Sequence, residues 1–297
     1  MKLEYRTKES RILVLGPLTN IASNSLKKIL EESEKYHRPM PYPEKDEWLS
    51  DYKELGQTYS EFISSKMNKP SQTRNKIYIN PLQSMSDTFV NNCILYCHNF
   101  YYPLEIKLMK ICDIEKLNIE SRINEDTDKI QYNAKDINGK MAEYVPEDAH
   151  CLVNILMDDL YPKPEWNYVF GLASNTKRVC VFSFARFDPF FFGGIRPVNF
   201  NKNLLYRACG VLTHEITHTF GLKHCIYYEC LMNGFNSSEE QLKRSIIECP
   251  VCLRKLYEVL GFDCFERYKK MKDVCKLFGG YFQNNFNWYN DRLLSLN

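Results

Sequence analysis

The stretch His214-Glu215-Ile216-Thr217-His218-Thr219-Phe220-Gly221-Leu222-Lys223-His224-Cys225 decides how this chain reads, because it sets three imidazoles and one carboxylate at fixed intervals. Four residues of α-helix advance about 400°, so His214 and His218 come within about 40° of each other on one face and about 6 Å apart along the axis. Two ring nitrogens on one rigid element can share a metal ion. Glu215 is turned away from the ligand direction but stays within reach of a water on that ion, the station of a general base. Gly221 lacks a Cβ and can take the left-handed conformation that ends a helix and reverses the chain, which carries His224 toward the same ion. Three protein ligands leave a tetrahedral zinc one open position, the catalytic form, whereas a structural zinc is closed by four. One alternative stays open on spacing alone: Cys225, beside His224, closing the set as a fourth ligand.

A second pattern overlaps the first. Cys225 and Cys230 form a C-x4-C, and Cys249-Pro250-Val251-Cys252 supplies a second pair, the spacing of a structural tetrahedral zinc. Consecutive residues point their side chains apart, so His224 can face one ion while Cys225 faces another. Two Zn2+ per chain are expected, one catalytic and one structural. The alternative is four buried thiols or two disulfides.

With these residues in place, the chain resembles the archaemetzincins, a metzincin-like family of zinc peptidases whose signature joins the long histidine motif to four cysteines and a methionine. The resemblance implies that His214, His218 and His224 bind the catalytic zinc and that Glu215 is the general base. It implies the same for Cys225, Cys230, Cys249 and Cys252 as structural ligands, and it makes Met232 an apolar floor beneath the catalytic zinc, where spacing alone allows plain core packing. The likeness extends upstream through Asp159-Leu160-Tyr161-Pro162, Trp166-Asn167-Tyr168-Val169-Phe170-Gly171 and Val181-Phe182-Ser183-Phe184-Ala185-Arg186, and is best over residues 130–262. Thr217 stands where the family usually has glycine. The activity implied is hydrolysis of short peptides, aminopeptidase-like action included.

Composition narrows the class. A chain of 297 residues, 44% hydrophobic, has enough apolar material for one large or two small cores. A formal charge of +2 without a basic stripe argues against nucleic acid as a partner. No apolar run reaches the roughly 18–20 residues of a membrane span, and residues 1–6 lack the core of a signal peptide. The expectation is a cytoplasmic monomer, with the nucleus open, that is not secreted and meets peptide substrates. Its twelve cysteines then read as thiols and zinc ligands, Cys112 among the buried small apolar residues.

Along the chain we expect an α+β fold with a metzincin-like mixed twisted sheet, an active-site helix and a smaller zinc-stabilised C-terminal subdomain. Residues 1–75 read as an extension of loops and short helices, 76–221 as the subdomain carrying sheet and active-site helix, and 222–297 as the subdomain with the third histidine and the cysteines. Residues 77–79 and 104–108 read as strands with helix between them, and 151–157 as a central strand. Ile130, Ala134, Ile137, Met141 and Tyr144 fall on one helical face. Residues 167–173 and 178–185 make a hairpin, whose second strand, with Val179, Val181 and Ser183, is the candidate edge to which an extended substrate adds. Asn203 is placed as the cap of a helix starting near Leu204. A rival from another class is a zinc-stabilised protein-binding module with little or no hydrolytic activity. Glu215 separates the two readings, because a purely structural histidine site has no use for a carboxylate that binds no metal.

Overall fold

The computed structural model describes residues 7–19, 21–110, 113–198 and 200–296, the side chain of Phe200 excepted, so residues 1–6 and Cys112 lie outside it. The described residues divide into two compact units, one drawn from residues 1–68 together with 220–297, the other from residues 69–219.

The N-terminal stretch supplies helices α1 (Lys8–Val14), α2 (Asn24–Glu31), α3 (Ser33–Tyr36), α4 (Trp48–Asp51) and α5 (Tyr59–Ser64). Ser23 caps α2 by accepting the Leu26 N–H, and Thr58 with Glu61 forms a reciprocal capping box on α5. These short helices are marginal alone. What holds them is their apolar faces, Leu26, Ile29 and Leu30 on α2 and Phe62 on α5, all buried.

In the unit of residues 69–219 the elements run β1 (Lys76–Pro81), α6 (Asp87–Phe100), β2 (Glu105–Leu108), β3 (Ser121–Asn124), β4 (Lys129–Asn133), α7 (Ala134–Met141), β5 (Ala149–Leu156), β6 (Asp159–Tyr161), β7 (Gly171–Ser174), β8 (Val179–Ser183) and α8 (Phe200–Thr219). Five strands form a mixed sheet in the order β2-β1-β5-β8-β7, parallel except for β7, which returns antiparallel to β8. All eight residues of β5 are buried, as expected for a central strand. A smaller sheet, β3-β4-β6, stands beside it. Leu152, Leu156, Val179 and Val181 from the larger sheet meet Ala134, Ile137 and Met141 from α7 in one core.

Three expectations need correction. Strand β8 is not the edge: it lies between β5 and β7, with Val179 and Val181 fully buried and Ser183 2% exposed. The two runs of a hairpin look alike in sequence, and it is the parallel pairing of β8 with β5 that pushes β7 to the outside. The apolar face drawn from Ile130 onward is not one helix, since Ile130 belongs to β4 and is 37% exposed. Asn133 starts α7 by accepting the N–H groups of Lys135 and Asp136 at 3.0 and 3.3 Å. Asn203 is no cap either, because α8 begins at Phe200 and Asn203 sits inside it, accepting from Arg207 Nε at 3.0 Å.

The first unit is completed by α9 (Ser238–Lys243), α10 (Pro250–Leu260), α11 (Cys264–Phe278) and α12 (Gln283–Leu296). Helix α2 packs on α10, α11 and α12, and α5 on α10. Arg292 on α12 pairs with Glu32 at 2.7 Å, tying the two ends of the chain together. Among the described residues no helix is long and apolar enough to cross a membrane.

Candidate active site

Helix α8 carries the first half of the site. It packs on α6, β5, β7 and β8, burying Ala208, Val211, Leu212 and Ile216. His214 and His218, one turn apart, bring their Nε2 atoms to 3.0 Å with the rings at 83°. Two imidazole nitrogens of the same kind converging in this way form a donor set suited to a shared cation. The back of the helix is fixed as firmly. Tyr101, fully buried, donates its hydroxyl to the Thr213 carbonyl at 2.6 Å and accepts from Thr217 Oγ1 at 2.9 Å. The β-branched residue between the two histidines therefore faces away from them and anchors the helix.

Glu215 is 8% exposed and makes no hydrogen bond to protein among the described residues. Burial alone pushes its carboxyl up to about 8, a shift that a neighbouring dication opposes. A buried carboxylate without a protein partner is costly. It fits a place where cation and water supply the missing interactions. A Cβ added at Gly171 would lie 2.8 Å from Cδ, Cγ and Oε1 of Glu215, so the edge strand can pass this close only as glycine. Leu172, next along β7, has its carbonyl taken by Asn138 Nδ2 at 2.8 Å. Sequence reasoning missed Gly171, whose signal was a lone glycine in a strand run.

In the other unit the turn after the helix takes the form expected of it, Gly221 adopting φ 96°. Gln57 clamps that turn, donating to the Gly221 carbonyl at 3.2 Å and accepting the Lys223 N–H at 3.1 Å. Nothing in the sequence singled out Gln57. His224 follows two residues after Leu222, half-buried.

The four cysteines meet as expected. Cys225, Cys230, Cys249 and Cys252 are buried, and their sulfurs all lie within 4.8 Å of one another. Two backbone N–H groups, from Cys249 and Met232, point at Cys230 Sγ at 3.2 and 3.4 Å, as they do around metal-bound thiolates. Asn233 braces the loop, accepting from Cys230 N at 2.7 Å and donating to the carbonyls of Cys225 and Tyr228. Four sulfurs around one point match tetrahedral zinc and not two disulfides. Cys225 therefore belongs to this cluster, which removes it as a fourth ligand for the histidines. Met232 is fully buried, and its carbonyl accepts the Cys225 N–H at 2.7 Å.

The model of Peptidase family M54 matches residues 127–258. The chain is 36% identical to archaemetzincin-2 of Macaca fascicularis, covering 78% of this chain and 73% of the relative. It is 31% identical to archaemetzincin-1 of Rattus norvegicus, covering 76% of this chain and 51% of that one. Among solved structures, the archaemetzincin of Methanopyrus kandleri shares the fold with a TM-score of 0.50 at 24% identity, covering 65% of this chain and 99% of its own. A zinc-dependent peptidase from Methanocorpusculum labreanum does so at 0.50 and 19%, covering 61% and 99%. At this identity to curated relatives over more than two thirds of its length, the chain belongs to the archaemetzincins, peptidase family M54, and is a zinc-dependent metallopeptidase.

Proposed function

We propose that the chain hydrolyses short peptides, aminopeptidase-like action included, at a zinc held by His214, His218 and His224, with Glu215 as general base. A second zinc, bound by Cys225, Cys230, Cys249 and Cys252, is structural and steadies the loop that follows His224. The observation that carries the reading is the Glu215 carboxylate, buried directly behind the first histidine with no hydrogen bond to protein among the described residues. It is the sequence spacing of the three histidines that supports assigning them to one ion.

Zinc so held supplies Lewis-acid polarisation of the scissile carbonyl and lowers the pKa of a water to about 7. Glu215 accepts the proton of the attacking water and later returns it to the leaving amine. Tyr101, through Thr213 and Thr217, keeps α8 from rotating, so that His214 and Glu215 hold their relative directions. The edge for an extended substrate is β7 and not β8, because β7 passes Glu215 at Gly171. Met232 is read as the apolar floor of the site. The eleven cysteines among the described residues are all buried thiols, which supports the cytoplasmic location expected.

The rival, a zinc-stabilised binding module, leaves the buried carboxylate without a purpose. Glu215→Ala tests the choice: peptide hydrolysis should vanish while zinc content stays at the parental level. Turnover by the variant equal to that of the parent refutes the mechanism.

A further inference from the structure

The third histidine ligand is far from alone in its unit. His224 Nδ1 lies 2.6 Å from Glu54 Oε1, a residue 170 positions upstream. The same carboxylate oxygen accepts the indole N–H of Trp48 at 2.9 Å. Trp48 also stands edge-on to the His224 ring, with centroids 5.2 Å apart and planes at 89°. One indole thus contacts the imidazole and fixes the carboxylate that binds it.

Trp48 is in turn held on every side. Its backbone N–H reaches both oxygens of Glu240 at 3.1 Å, and Glu240, 3% exposed, pairs with Arg244 at 2.7 Å. Tyr52 covers the outer face of the indole at 4.2 Å between centroids. Below it lies Gly234, where an added Cβ would come within 2.5 Å of the ring. Such a seat is built for one orientation.

We propose that Glu54, locked by Trp48, is a positioning residue for His224: it selects the ring tautomer protonated at Nδ1 and fixes the plane of the ring, so that Nε2 is the nitrogen offered to the metal. This rests on the zinc reading of the three histidines. A carboxylate only accepts, so the ring nitrogen facing it must carry the hydrogen, and the lone pair is then on Nε2. His214 and His218 also converge through Nε2. Both His224 and Glu54 keep side chains 22% exposed, so water competes for their hydrogen bond, and the Trp48 indole, by holding the carboxylate in place, favours the bond. The N-terminal residues thereby act on the metal site without touching the metal.

The test compares the zinc-loaded parent with Glu54→Ala, Glu54→Gln and His218→Ala, using stepwise competition by a chelator and NMR of protein labelled with 15N-histidine. The zinc lost in His218→Ala defines the histidine-bound ion. Glu54→Ala should weaken that ion about 10–100-fold, the range for loss of a carboxylate behind a histidine ligand, with the cysteine-bound zinc unmoved. Glu54→Gln should recover most of the loss, because its amide oxygen still accepts from Nδ1–H. The parent should show a His224 Nδ1–H resonance shielded from exchange that disappears in Glu54→Ala and persists in Glu54→Gln. Parental zinc affinity in Glu54→Ala, or an unchanged Nδ1–H resonance there, overturns the proposal. If His218→Ala instead holds as much zinc as the parent, it is the three-histidine reading that fails, and the NMR comparison still decides whether Glu54 sets the tautomer.

Discussion

Gly171→Ala is the substitution that most directly tests whether the position of the Glu215 carboxylate matters. The new Cβ would stand 2.8 Å from three atoms of that side chain, where ordinary contact begins at 3.4 Å, so something must move by about 0.6 Å. The flexible partner is the carboxylate arm itself, while β7 is held by its ladder to β8 and by Asn138 on Leu172. A displacement approaching 1 Å in a catalytic group can cost on the order of 10²-fold. We expect kcat/KM on any peptide the parent cleaves to fall about 10–100-fold. Zinc content and the thermal midpoint should stay near parental, because only one methyl group enters a half-exposed strand. The assay is initial-rate hydrolysis of a fluorogenic peptide alongside metal analysis and thermal denaturation of the same preparation. Parental kcat/KM in a folded, zinc-replete Gly171→Ala protein would show that the precise location of Glu215 is irrelevant, and the base assignment would go with it.

Cys249→Ser removes one sulfur from the buried cluster and should reduce zinc from two ions per chain to one. It should also lower the thermal midpoint by roughly 20 °C or more, since structural zinc of this kind contributes roughly 10–16 kcal/mol in small domains and each kcal/mol is worth about 2–4 °C; unchanged zinc content refutes the assignment. His150 gives a pH prediction. Burial lowers its pKa from 6.5 to about 3, so below about pH 6.5 the unfolded chain binds a proton that the folded chain does not. Stability is therefore full above that pH and falls by about a tenfold change in the folding equilibrium per unit toward pH 3. His37, lowered to about 3 by the same cause, acts equally in parent and variant. In denaturant titrations His150→Gln should lose one such contribution, and parallel pH profiles for the two proteins would contradict it.

The gathering of the four cysteines was legible in the sequence because such sets are written at short range. The two cysteine pairs each sit within two turns of chain and His214 to Cys225 within twelve residues, and the φ of Gly221 follows from its place after a helix. The strands β1, β2 and β5 were legible for a similar reason, as compact apolar runs. What long-range pairing decides was not. Ile130 has helical spacing to Ala134, yet the partnership of β4 with β3 and β6 claims it for a strand. The hairpin was visible, but which of its strands lies outside depends on β5, whose residues pair with β8 from 27 positions upstream. The first 68 residues looked like an appendage because their partners, α10 to α12, begin about 180 residues later. Glu54 and Gln57 were invisible on the same account.

The discontinuous make-up of one unit also dictates an order of events during synthesis. Residues 69–219 find all the contacts of their own unit within a continuous stretch, so they can fold as soon as the ribosome has released them. Helices α2 and α5 emerge earlier but must wait, with Leu26, Ile29, Leu30 and Phe62 uncovered, until the last eighty residues arrive. Their unit closes only once its second stretch, residues 220–296, has been made. Because Gln57 lies in the early-made end and the turn it clamps in the late-made end, that closure is also the moment at which the turn carrying His224 becomes fixed.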